Sequence, residues 1–231
     1  MPKSTDTPHY VGHRQRLRER LMQAPHALPD YEIIEFLLFA ANARQDVKPL
    51  AKILHHTFGS LAGVLAASPS SLADAGVTHA QLAYFTAVRE AALRMLKSSV
   101  LTKPVMDHWE ALVGYCSAQM GQLTIEQFRV LYLDTKNRMI ADECLGMGTT
   151  NEVPVYPRQI VKRALELDSS AVILVHNHPS GDPMPSQADK DMTFQIVRAC
   201  HAVGIMVHDH LVISKTGHYS FCHHGILPAA E

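Results

Sequence analysis

The stretch "SAVILVHNH", residues 170–178, constrains the fold more than any other part of the chain. Its unbroken apolar run stops at a loop of Pro and Gly, the pattern of a strand buried on both faces. A strand of that kind belongs inside a sheet that carries helices on its faces. The neighbouring segments supply both. "HWEALVGYCSAQM" has the look of a helix, "EQFRVLYLD" and "MIADECLGMG" read as strands joined by the turn "TKNR", and "YPRQIVKRALEL" is a helix with Pro157 in its first position. Past the loop come a helix in "PSQADKDMTFQIVRACHAVG", a strand in "IMVHDHLVIS" and a last short strand in "HYSFC". Strands interleaved with helices predict an α/β domain, a mixed sheet with flanking helices, over residues 101–231.

Residues 1–100 read differently. "LPDYEIIEFLLFAA" has helical spacing at Ile33, Ile34, Leu37 and Leu38, with Pro29 and Asp30 suited to a first turn. "DVKPLAKILHHTF" follows and stops at Gly59, "SLAGVLAAS" gives a short helix, and Ser68 with Pro69 starts another turn. Thr78 and Gln81 have the spacing of a capping box ahead of "LAYFTAVREAALRMLKSS". These predict a small all-α domain, tied to the second by the linker "SSVLTKP". The first hundred residues carry 11 Lys and Arg against 8 acids, and the remainder 10 against 14. With a total of −1, a polyanion-binding surface spread over the whole molecule is excluded, and any such patch must be local.

Four cysteines, at 116, 144, 200 and 222, form no CxxC pair, which fits core thiols in a reducing compartment. The start turns basic where a signal peptide needs an apolar segment, and no run approaches the roughly 18 apolar residues of a membrane span. The expectation is a cytoplasmic protein without a membrane partner.

Nine of the fifteen histidines lie beyond residue 100. In a strand, residues i and i+2 point the same way, so His176 and His178 project to one side at the carboxyl end of theirs, where α/β proteins bind ligands. After seven intervening residues Ser186 opens the next helix, with Asp189 one turn inside it. Two neutral imidazoles and a carboxylate make three ligands for Zn²⁺ and leave a fourth tetrahedral position open, the arrangement of a catalytic site. Ser186 and Asp189 also have the S-x-x-D form of a helix cap, which can hold Asp189 in place. "VHDH" offers a second cluster. His208 and His210 are expected on one face and Asp209 on the other, and Asp209 or His210 could orient a ligand imidazole from behind.

If the open position holds a water that attacks a substrate, a base that does not bind the metal is also needed to take its proton. Glu110, Glu126, Glu143, Glu152 and Glu166 are the candidates in the second half. Glu126 begins a strand and could reach a neighbouring strand end, but spacing alone does not choose between Glu126 and Glu143.

"HNHPSGDPMPSQAD" resembles the JAMM signature of JAB/MPN metallopeptidases, in the form found in the RadC family. The likeness extends to "EQFRVLYLDTKN", "VYPRQIVKRALEL" and "GIMVHDHLVIS", and the first domain is similar to the helical domain that precedes the RadC peptidase-like domain. The resemblance implies one Zn²⁺ per chain on His176, His178 and Asp189, Glu126 as the base, and Ser186 as a donor to the tetrahedral oxyanion. It implies a peptide or isopeptide-linked protein as substrate, and the family name carries a link to DNA repair.

The helical domain is also similar to helix-hairpin-helix modules, which hold DNA phosphates on backbone N–H groups. "ADAGVTHAQLA" keeps Gly76 but has Thr78 where a second glycine is usual. Arg14 and Arg18 would share one face of a helix and Arg16 and Arg20 another, the alternative being a solvated arm. The rival function is a DNA-associated accessory protein whose zinc is structural. A two-metal nuclease would need a carboxylate cluster that is not present. A zinc deaminase would need H-x-E and P-C-x-x-C, also not present.

Overall fold

The computed structural model describes residues 12–41, 46–101, 103–148 and 155–227. The chain divides into two compact units, Met1–Ala91 and Ala92–Glu231. The division falls inside one helix, His79–Leu101, so residues 98–101 of the expected linker are helical, and Thr102 lies outside the described residues.

The first unit is all helical: α1 (His13–Gln23), α2 (Asp30–Ala41), α3 (Lys48–Phe58), α4 (Leu61–Ala66), α5 (Pro69–Asp74) and the first part of α6 (His79–Leu101). Ile34, Leu38, Ala51, Leu54, Val64, Leu72 and Phe85 form its core. The connections follow capping chemistry. Gly59 takes the left-handed conformation that ends α3, and Ser60 and Ser68 accept the Gly63 and Ser71 amides to start α4 and α5. Asp30 reaches across to accept the Leu61 amide at 2.7 Å, so one carboxylate begins α2 and caps α4. The capping box expected at Thr78 is present: Gln81 Oε1 accepts the Thr78 amide at 2.8 Å. The basic run is helix α1, seated by the buried Leu17 rather than extended as an arm.

The second unit adds α7 (Trp109–Met120), β1 (Glu126–Leu133), β2 (Met139–Gly148), α8 (Pro157–Glu166), β3 (Ala171–Asn177), α9 (Gln187–His201), β4 (Met206–Ile213) and β5 (His218–Ser220). The sheet order is β2-β1-β3-β4-β5, with β3 and β4 parallel and the other pairs antiparallel. Every residue of β3 is buried, as its apolar run requires of an interior strand. Alternation divides it. Ala171, Ile173 and Val175 pack with Leu112, Cys116 and Met120 of α7, while Val172 and Leu174 pack with Ile160 of α8 and Ile196, Val197 and Cys200 of α9. The β1–β2 turn closes on Asn137 at φ 57, with Asp134 Oδ1 accepting the Lys136 and Arg138 amides.

Two expectations fail here. Val172 pairs with Val207 but Ile173 with Asp209, so a register shift leaves His208 over and inverts the alternation of β4 after it. His208 bonds Asn137 Oδ1 at 2.8 Å, whereas His210 lies by His176, so the two do not share a face. Of the cysteines, Cys116 and Cys200 are core thiols, but Cys144 is half-buried and Cys222 exposed.

No helix among the described residues is long and apolar enough to cross a membrane.

Candidate metal centre

The site is built where β3 ends and α9 begins. His176 continues the Val172–Leu174 face of β3 toward α9 and is fully buried. His178 follows on the same side, one residue past the strand, and its own amide extends the β3–β4 pairing by donating to Ile213 O at 2.8 Å. Asp189 stands in the first turn of α9, nearly buried. One ligand atom from each of the three lies within 4.8 Å of the others, the one group of this kind among the described residues. The two Nε2 atoms are 3.0 Å apart, with Asp189 Oδ1 3.4 Å from that of His176 and Oδ2 3.5 Å from that of His178.

The donor chemistry fits a cation. His178 Nδ1 is 2.8 Å from Asp182 O, and a carbonyl only accepts, so Nδ1 carries the hydrogen and Nε2 is the end available to a ligand. Two imidazole Nε2 atoms facing each other at 3.0 Å must hold a hydrogen or a metal ion between them, and the carboxylate alongside favours a cation there. Burial pushes His176 down to about 4, with the Asp189 carboxylate opposing and His178 adding. His178 is raised instead, chiefly by its hydrogen bond to Asp189, with the Glu126 charge the last contributor. Burial alone would raise Asp189, but the His178 hydrogen bond, the His176 charge and two bonds from Ser186 outweigh it and hold the carboxyl well below its usual range.

Ser186 is the N-cap of α9. Its Oγ donates to Asp189 Oδ2 at 2.7 Å and accepts the Asp189 amide at 3.1 Å, while its own amide donates to the same Oδ2 at 2.7 Å. The capping box is thus complete, and it fixes the rotamer of a candidate metal ligand.

Glu126 is the first residue of β1. It lies two residues from Phe128, which pairs with His176 in the ladder and stacks on it at 6.3 Å between ring centroids. Alternation therefore places Glu126 on the His176 face, at the end of the strand nearest His178. Glu143, which spacing could not separate from it, sits mid-strand and takes a two-pronged bond from Arg163 of α8, the closest contact being 2.7 Å. Glu166 also pairs with Arg163, Glu110 lies in the first turn of α7, and Glu152 lies outside the described residues.

A chain with 54% identity is a UPF0758 protein of Rhodobacter capsulatus, the match covering 91% of the present chain and all of the relative. A UPF0758 protein of Ruegeria pomeroyi shares 51% over 95% of the present chain and all of the relative. The family model of the RadC-like JAB domain matches residues 106–226. This chain belongs to the RadC family. The matched span contains β1 to β5 and the whole His176–His178–Asp189 group, so the candidate metal centre of this RadC-like JAB domain falls inside the region that defines it.

Three residues at the site escaped sequence reasoning. Asn177, between the two histidines, faces away from them. Its Oδ1 accepts the Gln127 amide at 2.8 Å and its Nδ2 donates to Ile125 O at 3.2 Å, gripping the backbone on either side of Glu126. The available signal was an amide at a position that alternation buries. Thr193 is a second case, a hydroxyl on the Ile196–Cys200 stripe of α9. Asp182 contributes only a backbone carbonyl, which leaves no signature in the sequence.

In the first unit, the Arg14 guanidinium lies 4.5 Å over the Phe39 ring, Arg18 Nη1 donates to Gln15 at 3.4 Å, and Gly76 sits at φ 97 between α5 and α6.

Proposed function

We propose that this chain is a Zn²⁺-dependent amide hydrolase of peptidase or isopeptidase type, with zinc held by His176, His178 and Asp189. The observation that carries the reading is the convergence of two Nε2 atoms and a carboxylate within 4.8 Å, beside a strand end that presents Glu126 on the same face. Zinc, when bound, supplies Lewis acidity that polarises a carbonyl and brings a water toward a pKa of ~7. Glu126 takes the proton of the attacking water and returns it to the leaving amine. Ser186 turns its hydroxyl from Asp189 to the developing oxyanion, while its amide keeps its bond to Asp189.

The substrate class is a peptide or isopeptide-linked protein. A DNA-associated role for the first unit draws less support. In the turn after Gly76, the Thr78 amide that could meet a phosphate is taken by Gln81. Glu126→Gln should bind zinc as wild type does while losing 10²–10⁴-fold in hydrolysis of isopeptide-linked substrates, on the order expected for a general base. Hydrolysis that survives in Glu126→Gln would remove Glu126 from the reaction.

A further inference from the structure

His210 is fully buried, between the rings of Phe128 and Phe221, and the reaction above leaves it without a part. Its Nδ1 is 2.6 Å from Thr193 Oγ1, its Nε2 is 2.7 Å from His176 Nδ1, and Thr193 Oγ1 is 2.6 Å from Asp189 O. Hydrogen-bond counting gives this chain one direction. A carbonyl can only accept, so the single hydroxyl proton of Thr193 goes to Asp189 O. The hydroxyl oxygen is then the acceptor for His210, whose Nδ1 must carry the hydrogen. A neutral imidazole has one N–H, so His210 Nε2 accepts, and the hydrogen between the two rings belongs to His176 Nδ1. The lone pair of His176 is left on Nε2, the atom that faces His178 and Asp189.

We propose that Thr193 and His210 form a positioning relay that holds His176 as its Nδ1–H tautomer and so presents Nε2 to the metal. The relay rests on the metal-centre reading above and adds how that centre is prepared. It also closes a loop behind the site, since Thr193 is bonded to the backbone of Asp189 one turn earlier in α9. The two ligands on different elements are thereby tied together on the side away from the ion. Without the Thr193 hydroxyl, the hydrogen on His210 is free to move to Nε2. His176 Nδ1 would then accept, and an N–H instead of a lone pair would face the site. Partners of this kind typically contribute 10–100-fold in metal affinity.

The test is a Zn²⁺ titration against a chromophoric chelator, joined to nitrogen-15 NMR of the imidazoles in the metal-free full chain. Thr193→Val, nearly isosteric, and His210→Ala should each weaken zinc binding about 10–100-fold. Thr193→Ser should stay close to wild type, and His210→Gln, whose amide can accept from His176 and donate to Thr193, should recover most of the loss. The wild-type spectrum should show His176 protonated on Nδ1. Unchanged zinc affinity in folded Thr193→Val, or a wild-type His176 protonated on Nε2, overturns the relay. A His176→Ala, His178→Ala protein that still binds zinc overturns the centre itself, and the tautomer measurement then judges the hydrogen-bonded chain on its own.

Discussion

Acidifying the metal-free protein exposes what burial does to His176. Its pKa lies at about 4, against an ordinary value of 6.5, because the ring is enclosed between Phe128, His210 and the sheet. Between those two pH values the unfolded chain binds a proton there that the folded chain refuses, so stability falls as pH drops through 6.5 and levels off near 4. The gap of about 2.5 units, at ~1.4 kcal/mol each, amounts to a loss of about 3 kcal/mol. His178 works in the opposite sense. Its raised pKa gives a contribution that is full below 6.5 and fades as pH rises through the folded value. Urea unfolding of chelator-treated protein, followed by fluorescence of Trp109, the single tryptophan, reports on the second unit because that ring packs on its core. Wild type should lose about 3 kcal/mol more than His176→Gln between about pH 7 and pH 4. Parallel curves for the two proteins would refute the argument that burial holds His176 neutral.

Further outcomes follow from the same geometry. At about pH 6, zinc loading should release close to one proton, from His178, because His176 is already neutral and Asp189 already ionised; calorimetry in buffers of different ionisation heat counts it, and a release of two or none contradicts the assignment. Ser186→Ala should cost about 1 kcal/mol of stability through the lost cap of α9, read by denaturant unfolding. Asn177→Ala should speed hydrogen exchange at the Gln127 amide at least about tenfold, since an N–H bond worth on the order of 1–3 kcal/mol when buried is lost there. Asp142→Ala should destabilise the second unit by about 3–5 kcal/mol, because it strips the partner from the largely buried Arg129, which Asp142 now meets at 2.8 Å.

The parts of the fold that were legible are those whose pattern repeats over several residues. β2 begins and ends at Met139 and Gly148, where its sequence run does, and β3 announced itself through an apolar run that only an interior strand tolerates. The three candidate ligands were legible for a related reason. The period of the strand and the first turn of the following helix carry them to one place, and the loop between is short. What stayed hidden depends on single residues or on space. One extra residue at His208 reverses the facing of the rest of β4, and periodicity gives no warning of a bulge. α1 left the choice between a helix and a solvated arm open because it buries a single leucine, Leu17, and its ties to α2, His13 with Glu35 and Arg20 with Glu32, cross between elements. The engagement of Glu143 by Arg163, twenty residues away in the chain and bonded to it in space, was equally hidden. His210 meets His176 across two neighbouring strands, a pairing that no local spacing encodes.

Zinc-edge anomalous scattering from crystals of zinc-loaded protein tests the account most directly. One peak per chain is expected, about 2.0–2.2 Å from His176 Nε2, His178 Nε2 and a carboxylate oxygen of Asp189. A peak at any other place in the chain, or none at the His176–His178–Asp189 group, would contradict it.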